Sequence, residues 1–152
     1  MSRAKTEVSK GRYKMIFKVY DELCEDAKKI RTEVFVEEQG FETEFDDTDK
    51  IAKHIVGYDD KKPVAVCRYF YDTAHKSYMV GRIAVAKECR GMHYGDKILA
   101  FAEQKIKEDG GKTASVSAQT RVSGFYEKQG YKKEGSEYLD EFCPHILMTK
   151  ML

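Results

Sequence analysis

The stretch IAVAKECRGMHYGDKIL, residues 83–99, decides the fold because it joins three local patterns in direct succession. Its first residues continue an apolar run that is typical of a strand. Gly91 and Gly95 then mark a turn, and apolar residues that recur every three or four positions from Ile98 onward indicate a helix. The stretch therefore predicts a strand that enters a glycine-containing turn and leaves it directly as a helix.

A turn of this kind is suited to hold an anion such as a pyrophosphate. Glycine lets the backbone approach a ligand closely, whereas a Cβ would keep the phosphates away. The free N–H groups and the dipole at the helix start attract negative charge, and Arg90 adds a charged fork. The turn is neither a Walker loop nor a GxGxxG fingerprint, and ordinary loops also contain glycine and a basic residue. Taken alone, it leaves a phosphate site and a plain connection both open.

Outward from this stretch, the rest of the chain reads as strands and helices of one domain, which suits its 152 residues. Residues 1–12 are polar and are expected to be frayed. Alternation, apolar stripes and polar turns predict the other elements. These are strands at residues 13–19, 54–58, 63–71, 78–85, 113–118, from 131 onward and 144–150, helices at 21–36, 95–109 and 122–129, and an acidic loop at 41–53 with room for a helical turn. The predicted order is β-α-βββ-α-β-α-ββ, a mixed α/β single domain.

The overall charge gives no reason to expect a nucleic-acid partner. Lys and Arg number 27 against 26 Asp and Glu, so the net charge of +1 attracts neither nucleic acid nor an anionic membrane. No apolar run approaches the roughly 18–20 residues of a membrane span. The N-terminal residues lack the apolar core of a signal peptide. We therefore interpret the chain as a cytoplasmic protein without a nucleic-acid or membrane partner.

The four cysteines form no CxxC pair and are most simply free thiols in a reducing compartment. Two groupings of cysteine and histidine raise the question of zinc. Cys89 lies four residues before His93, and Cys143 and His145 flank Pro144. The usual spacings of a closed zinc site are missing, so the sequence predicts no metal site.

A second segment, AQTRVSGFYEKQGY at residues 118–131, is again a strand that enters a short helix. Together the two segments resemble the GNAT superfamily of acyl-CoA-dependent N-acetyltransferases. The cofactor motif of that family is Gln or Arg, two residues, Gly, one residue, then Gly or Ala. Arg90 and Gly95 match its ends, and His93 stands where the inner glycine is usual. Backbone donation survives a side chain there only if φ stays negative or the ring points away.

Two further segments resemble the ElaA-like branch of this superfamily. They are RTEVFVEEQ at residues 31–39 and DEFCPHILM at residues 140–148, in which Cys143 takes a place where that branch often has a small residue. The resemblance covers nearly the whole chain, so residues 1–152 are expected to form one acetyltransferase domain. It implies a GNAT-like fold whose mostly antiparallel central sheet is flanked by helices and splayed at the cofactor site. It also implies acetyl-CoA as the cosubstrate, without a metal.

The resemblance implies cofactor contacts for individual residues. The pantetheine arm would pair like an extra strand with the backbone of Ile83, Ala84 and Val85, and Gln119 would bond its side. Lys128 would approach the nucleotide phosphates. Backbone N–H groups of the turn would hold the pyrophosphate. The turn residues are Arg90, Gly91, Met92, His93, Tyr94, Gly95 and Asp96.

The resemblance further implies the reaction, which is transfer of an acetyl group from acetyl-CoA to an amine by direct attack. Tyr126 would point its hydroxyl at the thioester sulfur as general acid. Full proton transfer from a tyrosine of pKa about 10 to a thiolate of pKa about 8.5 is uphill by roughly 2 kcal/mol. We therefore expect a strong hydrogen bond with late or partial transfer. The alternative is a tyrosine packed under the sheet with its hydroxyl at the rim.

The general base is left open by the sequence. Several relatives carry a carboxylate on the strand before the turn, where this chain has Gly81 and Arg82. Glu37 or Glu38, at the end of the first helical segment, and His54, on a strand, are candidates for the catalytic base. A solvated charge and a structural histidine are the alternative interpretations.

The acceptor is expected to be a small-molecule or peptide amine, and a homodimer is a common state in the family. The acidic residues 42–49 either attract a cationic amine or form a solvated loop.

Three other functions stay open. A non-catalytic acyl-CoA or nucleotide sensor would keep residues 90–95 but would not need Tyr126. An acyl-homoserine lactone synthase is suggested by Arg31, Val34 and Phe35, although the chain is short for that class and has no tryptophan. Nucleic-acid binding is disfavoured by the charge.

Overall fold

The computed structural model describes residues 4–8, as backbone, and residues 15–152. Eight strands are formed within these ranges: β1 (Ala4–Val8), β2 (Met15–Tyr20), β3 (Lys53–Asp59), β4 (Lys62–Asp72), β5 (Ser77–Val85), β6 (Thr113–Gln119), β7 (Lys132–Asp140) and β8 (Cys143–Met151). The α-helices of the described chain are α1 (Glu25–Arg31), α2 (Tyr94–Glu108) and α3 (Ser123–Lys128). A π-helical stretch, Thr32–Glu38, continues α1, and a 3-10 turn, Asp47–Lys50, lies in the acidic segment.

The strands form one sheet in the order β1-β2-β3-β4-β5-β6-β8-β7. Among the described strands, β5 and β6 alone pair in parallel, because α2 connects them as a crossover, and every other neighbouring pair is antiparallel. The mostly antiparallel sheet with flanking helices, expected from the family resemblance, is confirmed.

The sheet is splayed between its two parallel strands. Residues 78–80 of β5 pair with residues 114–116 of β6, and the pairing of these two strands ends there. The register between β4 and β5 also shifts next to this point, and Arg82 has φ +51°. This bulge bends β5 away from β6. Beyond Val80 the edge of β5 that faces β6 therefore has no strand partner among the described strands.

One face of the sheet is covered by α2. Its buried side chains recur at the spacing that places them on one side of a helix, and they contact apolar strand residues in a single cluster. This packing fixes the start of α2 beside the end of β5. The helix residues that carry the contact are Ile98, Leu99, Ala102 and Ile106.

The opposite face is covered by α1 and the π-helical stretch. Ile55 and Val56 are neighbours on β3 but belong to different apolar clusters, so the two clusters lie on opposite faces. The second cluster contains Ala27 and Ile30 of α1 and Val34 of the π-helical stretch. This contact holds the end of the π-helical stretch near the splayed part of the sheet.

Two local features differ from the sequence expectations. Ala4–Val8 form an edge strand against β2, where frayed chain was expected for residues 1–12. The remaining residues of that expectation, and the first two residues of the strand expected at 13–19, lie outside the described residues. The helix expected at residues 21–36 begins only at Glu25 and changes into the π-helical stretch from Thr32. No helix in the described part of the chain is long and apolar enough to cross a membrane.

Candidate active site

A cavity of about 460 Å³ lies where β5 and β6 diverge. One side is formed by residues 80–85 of β5, and the other by the end of β6 and by α3 with the residues before it. The π-helical stretch and the segment after it form a further wall. The cavity therefore occupies the gap that the bulge in β5 opens.

The three strand residues expected to contact a pantetheine arm line this cavity. Ile83, Ala84 and Val85 all belong to the part of β5 that lacks a partner strand on the side facing β6. On its other side β5 is paired with β4, for example Ala84 with Val66. An extended chain with amide groups could thus add to the free edge as a further strand.

The turn before α2 has positive φ angles at two residues, a conformation that glycine adopts without strain. Gly91 has φ +86°, and His93, the residue before the helix, has φ +61°. Of the two conditions for backbone donation at His93, a negative φ is not met; its imidazole is largely exposed, with Nδ1 3.4 Å from a carboxylate oxygen of Asp96. The ring therefore points away from the turn. His93 takes up the left-handed conformation that the usual glycine would adopt, at a cost of roughly 1–2 kcal/mol.

Gly95 brings the start of α2 to the wall of the cavity. A Cβ at this position would lie 3.5 Å from the Phe125 ring and 3.7 Å from a methyl group of Val85, which are ordinary contact distances. The packing of the protein alone does not demand glycine here. A missing side chain leaves room for a ligand against the helix start, as the cofactor motif predicts.

The other residues expected at the turn do not line the cavity. Met92 is exposed, and Tyr94 is buried with its hydroxyl donating a hydrogen bond to Asp59. Gly91 and Asp96 also lie outside the lining residues. A contact of these residues with phosphate groups would have to be made at the open side of the turn.

Arg90 lies in the cavity wall and is held by a carboxylate. Its two terminal nitrogens donate hydrogen bonds of 2.7 Å to the two carboxylate oxygens of Glu38, and Nε donates to the Val85 carbonyl at 3.3 Å. The hydrogen bonds from Arg90 lower the pKa of Glu38. A carboxylate stabilised in its charged form is a weaker base. The geometry therefore does not favour Glu38 as the residue that deprotonates an amine.

Tyr126 presents its side chain to the cavity from α3. Its ring makes edge contacts with Phe125 and Tyr131, at 5.0 and 5.9 Å between ring centroids. Its hydroxyl has no hydrogen-bond partner among the described residues. Burial raises the pKa of the Tyr126 hydroxyl, and the nearby Cys67 adds to this. The group stays protonated and can donate a hydrogen bond to a ligand.

The last two expected cofactor residues differ in their positions. Gln119, at the end of β6, lines the cavity and donates a hydrogen bond of 2.8 Å to the side chain of Gln39. Lys128, at the end of α3, is exposed and lies outside the cavity lining.

The acidic segment forms neither a solvated loop nor an open negative patch, because three of its carboxylates are paired with arginines. Arg31 is buried and donates to Glu44 at 2.7 Å and to Asp49 at 2.8 Å. Arg68 donates to Asp49 at 2.8 Å and to Asp46 at 2.7 Å. The expectation of a solvated loop for residues 42–49 is therefore wrong, whereas attraction of a cationic amine stays a prediction. The segment is a folded part of the wall.

Arg82 joins this network to the cavity. It lies 3.1 Å from Glu44 and 3.2 Å from Asp46, and both Arg82 and Glu44 line the cavity. Burial raises the pKa of Glu44, against the effect of Arg82 and Arg31. Burial alone would also raise the pKa of Asp49, but hydrogen bonds from Arg31 and Arg68 outweigh it and lower that pKa well below its usual range.

His54 is part of the same structural cluster. It is buried on β3, its Nε2 lies 2.9 Å from the Asp49 carbonyl oxygen, and it is not among the residues that line the cavity. Burial lowers the pKa of His54, and the hydrogen bond to Asp49 opposes this only in part. The position favours the structural interpretation of this histidine over that of a catalytic base.

Sequence reasoning missed two cavity residues with useful chemistry, Glu44 and His145. The two positions are 101 residues apart (145 − 44), so no local spacing could have linked them. Alternation along β8 was a usable signal for His145, because Cys143 and His145 are buried on one side with the exposed Pro144 between them.

The described residues contain no group of three or more side chains that could hold a metal ion. The four cysteines are free thiols.

Comparison with known proteins agrees with this geometry. The model of the acetyltransferase (GNAT) domain family matches residues 19–152. The uncharacterised N-acetyltransferase YjcF of Bacillus subtilis is 35% identical over 133 residues, which cover 86% of this chain and 94% of that protein. The structure of Escherichia coli ElaA superposes with a TM-score of 0.78 at 22% identity, over 90% of this chain and 99% of that one. An aminoglycoside 6'-N-acetyltransferase complexed with coenzyme A superposes with a TM-score of 0.66 at 14% identity, over 82% and 89%.

The splayed sheet, the turn before α2 and the cavity between β5 and β6 define the class of acetyltransferases with the GNAT fold. The chain belongs to the acetyltransferase (GNAT) domain family, whose model spans nearly all of its described residues. The family resemblance stated from the sequence is thereby confirmed, including the likeness in fold to ElaA.

Proposed function

We propose that the chain is an N-acetyltransferase that moves the acetyl group of acetyl-CoA to a small-molecule or peptide amine by direct attack. The observation that carries the proposal is Tyr126, whose side chain lines the cavity and whose hydroxyl has no partner among the described residues. This leaves the hydroxyl able to donate a hydrogen bond to a partner in the cavity. A thioester sulfur in the cavity would supply that partner.

The free edge of β5 supports the cofactor part of the proposal. Residues 83–85 can exchange backbone hydrogen bonds with the two amides of a pantetheine arm, and Gly95 leaves space for the pyrophosphate at the start of α2. The coenzyme A complex of the aminoglycoside acetyltransferase and the name of YjcF point the same way. These residues fit the cosubstrate, which supplies the activated acetyl group when bound.

The residues of this chain would position acetyl-CoA and the amine, stabilise the charge that develops on the sulfur, and transfer protons. The amine nitrogen attacks the thioester carbonyl, a C–N bond forms, the C–S bond breaks, and the amine loses one proton. Tyr126 donates a hydrogen bond to the sulfur as negative charge develops there. Because burial raises the pKa of Tyr126, full transfer of its proton to the thiolate is even less favourable than it would be in water. The phenolic proton therefore stays on Tyr126 until late in the step.

The acceptor would enter where the segment after the π-helical stretch lines the cavity beside β5. The cavity wall there contains the aromatic rings of Phe35 and Phe41 and the paired charges of Glu44 and Arg82. Apolar surface with a few fixed polar groups is typical of a small-molecule site. We therefore expect an acceptor with an apolar body next to its amine.

The test is a thiol-release assay with acetyl-CoA and a panel of primary amines that includes arylalkylamines, amino sugars, polyamines and short peptides. The expected result is release of coenzyme A at a rate that depends on one group of amines and is matched by acetylated product in mass spectrometry. A control without amine measures hydrolysis. Binding of acetyl-CoA in calorimetry without amine-dependent release would instead indicate a sensor and would overturn the proposed enzyme function.

A further inference from the structure

We propose that His145 is the general base that takes the proton from the attacking amine. The proposal rests on the proposed function and adds a catalytic residue to it. His145 lies on β8, is largely buried, and lines the cavity from the side of β6. Three observations support the assignment: His145 lines the cavity, its hydrogen bond fixes the tautomer, and the other candidate bases are paired with arginines or exposed.

One hydrogen bond fixes the tautomer of His145. Its Nδ1 lies 2.9 Å from the carbonyl oxygen of Cys143. A carbonyl oxygen can only accept, so Nδ1 carries the hydrogen and donates it. In the neutral ring the opposite nitrogen, Nε2, then holds a lone pair. Nε2 has no hydrogen-bond partner in the described part of the chain. It is also accessible to solvent, so a ligand in the cavity can reach it.

Neighbouring side chains hold the ring in place. Tyr138 lies next to it in a stacked arrangement with ring centroids 6.1 Å apart, and the Tyr138 hydroxyl is hydrogen-bonded to Ser117. Phe41 contacts the ring edge-on at 6.4 Å. A base whose rotamer is fixed by packing needs little reorganisation before it accepts a proton.

The position on the sheet brings His145 to the pantetheine side of the cavity. His145 and Gln119 are directly opposite each other on the antiparallel strands β8 and β6, so their side chains lie on the same face. Gln119 is the residue that the family resemblance places beside the pantetheine arm. Tyr126 lines the same cavity. Tyr126, as hydrogen-bond donor to the leaving sulfur, and His145, as acceptor of the amine proton, thus line the same cavity.

The other titratable groups of the cavity are already engaged or exposed. Glu38 is held by both terminal nitrogens of Arg90, and Glu44 is held by Arg31 and Arg82. Asp140, at the end of β7, is exposed. His145 alone among the histidines of the described chain lines the cavity.

The proton balance is simple. The amine nitrogen forms the bond to the carbonyl carbon and loses one proton to Nε2 of His145. The electron pair of the C–S bond leaves with the sulfur, which accepts a hydrogen bond from Tyr126. The imidazolium then returns its proton to water or to the released thiolate, so that no oxidant, reductant or metal is needed.

The kinetic test compares the wild-type protein with His145→Asn. The asparagine amide can still donate to the Cys143 carbonyl, but it has no basic nitrogen at the position of Nε2. The probes are 2-phenylethylamine, chosen for the aromatic wall of the cavity, and its β,β-difluoro analogue, which has the same shape and a less basic amine. We expect kcat for 2-phenylethylamine to fall about 100-fold, the lower end of the range for general acid–base catalysis. The loss for the difluoro analogue should be clearly smaller, and the Kd for acetyl-CoA should stay within about twofold.

His75→Gln, at an exposed position away from the cavity, serves as the matched control and should keep wild-type rates. Equal kcat values in His145→Asn and the wild type would overturn the proposal while leaving the acetyltransferase function intact. Absence of amine-dependent thiol release from the wild type would count against that function instead.

Nitrogen-15 NMR of the imidazole tests the tautomer without any acceptor. The expected spectrum of the neutral ring has the hydrogen on Nδ1 and a bare Nε2. A hydrogen on Nε2 would remove the lone pair from the cavity and would overturn the proposal for every acceptor.

Discussion

Glu38 and Arg90 form a two-bond ion pair, in which each terminal guanidinium nitrogen lies 2.7 Å from one carboxylate oxygen. The pair stands at the position that the family resemblance assigns to the cofactor pyrophosphate. A phosphate that binds Arg90 through the same fork must displace the carboxylate. If the cofactor binds as proposed, Glu38 would compete with its phosphates for Arg90.

Glu38→Gln should strengthen acetyl-CoA binding, because it removes the charge that competes for Arg90. Exposed ion pairs are worth up to about 1 kcal/mol, so we expect a Kd that is lower by up to about fivefold. Calorimetric titration measures this directly. The phosphate-free S-acetyl-pantetheine should bind both forms equally, and Glu37→Gln, at an exposed neighbouring position, should behave like the wild type. Equal gains for both thioesters would contradict competition at the phosphates.

Arg31→Met should be strongly destabilising. The change leaves Glu44 without its closest partner and Asp49 with only one of its two arginine partners, and breaking a buried pair from one side costs about 3–5 kcal/mol. Urea denaturation at neutral pH measures the free energy of unfolding. Lys28→Met removes an exposed pair with Glu25 and should change it by less than about 0.5 kcal/mol. A cost below about 1 kcal/mol for Arg31→Met would show that the network does not stabilise the fold.

His54 should make the stability depend on pH in mildly acidic solution. Its pKa is lowered in the folded protein by burial, whereas the unfolded chain has a histidine pKa near 6.5. As the pH falls below about 6.5 the unfolded chain takes up a proton that the folded chain resists, so the free energy of unfolding decreases. Above that pH both states are neutral and the effect vanishes.

The measurement is a series of urea denaturations between pH 8 and pH 5 on the wild type and His54→Gln. The wild type should lose stability over the acidic part of this range, and the variant should lose less, whatever its stability at pH 8. His75→Gln should keep the wild-type slope. Parallel slopes for His54→Gln and the wild type would mean that His54 is freely protonated in the folded state.

The elements around residues 83–99 could be predicted because their signals are local. A strand pattern, two glycines and a helical stripe follow one another, and the structure has β5, the turn and α2 at those places. His93 shows the limit of such reasoning, because its positive φ at the entry into α2 could not be predicted from the residue type.

The buried charges could not be predicted from local patterns. Arg31, Arg68 and Arg82 come from three separate elements, and their partners lie in a segment that reads as a polar loop. Charges of this kind are usually solvated, so only the tertiary fold reveals that these are paired. The same holds for His145, whose importance depends on the splaying of β5 from β6.

The role of Tyr126 in acetyl transfer is tested most directly by single-turnover reactions of the wild type and Tyr126→Phe, with acetyl-CoA bound and an active amine added. We expect the acetylated amine and free coenzyme A to form together, the rate to fall at least about tenfold in Tyr126→Phe, and the Kd for acetyl-CoA to stay within about twofold. An unchanged rate would remove Tyr126 from the mechanism. Bound acetyl-CoA that yields no acetylated amine in the wild type would contradict the proposed transferase function itself.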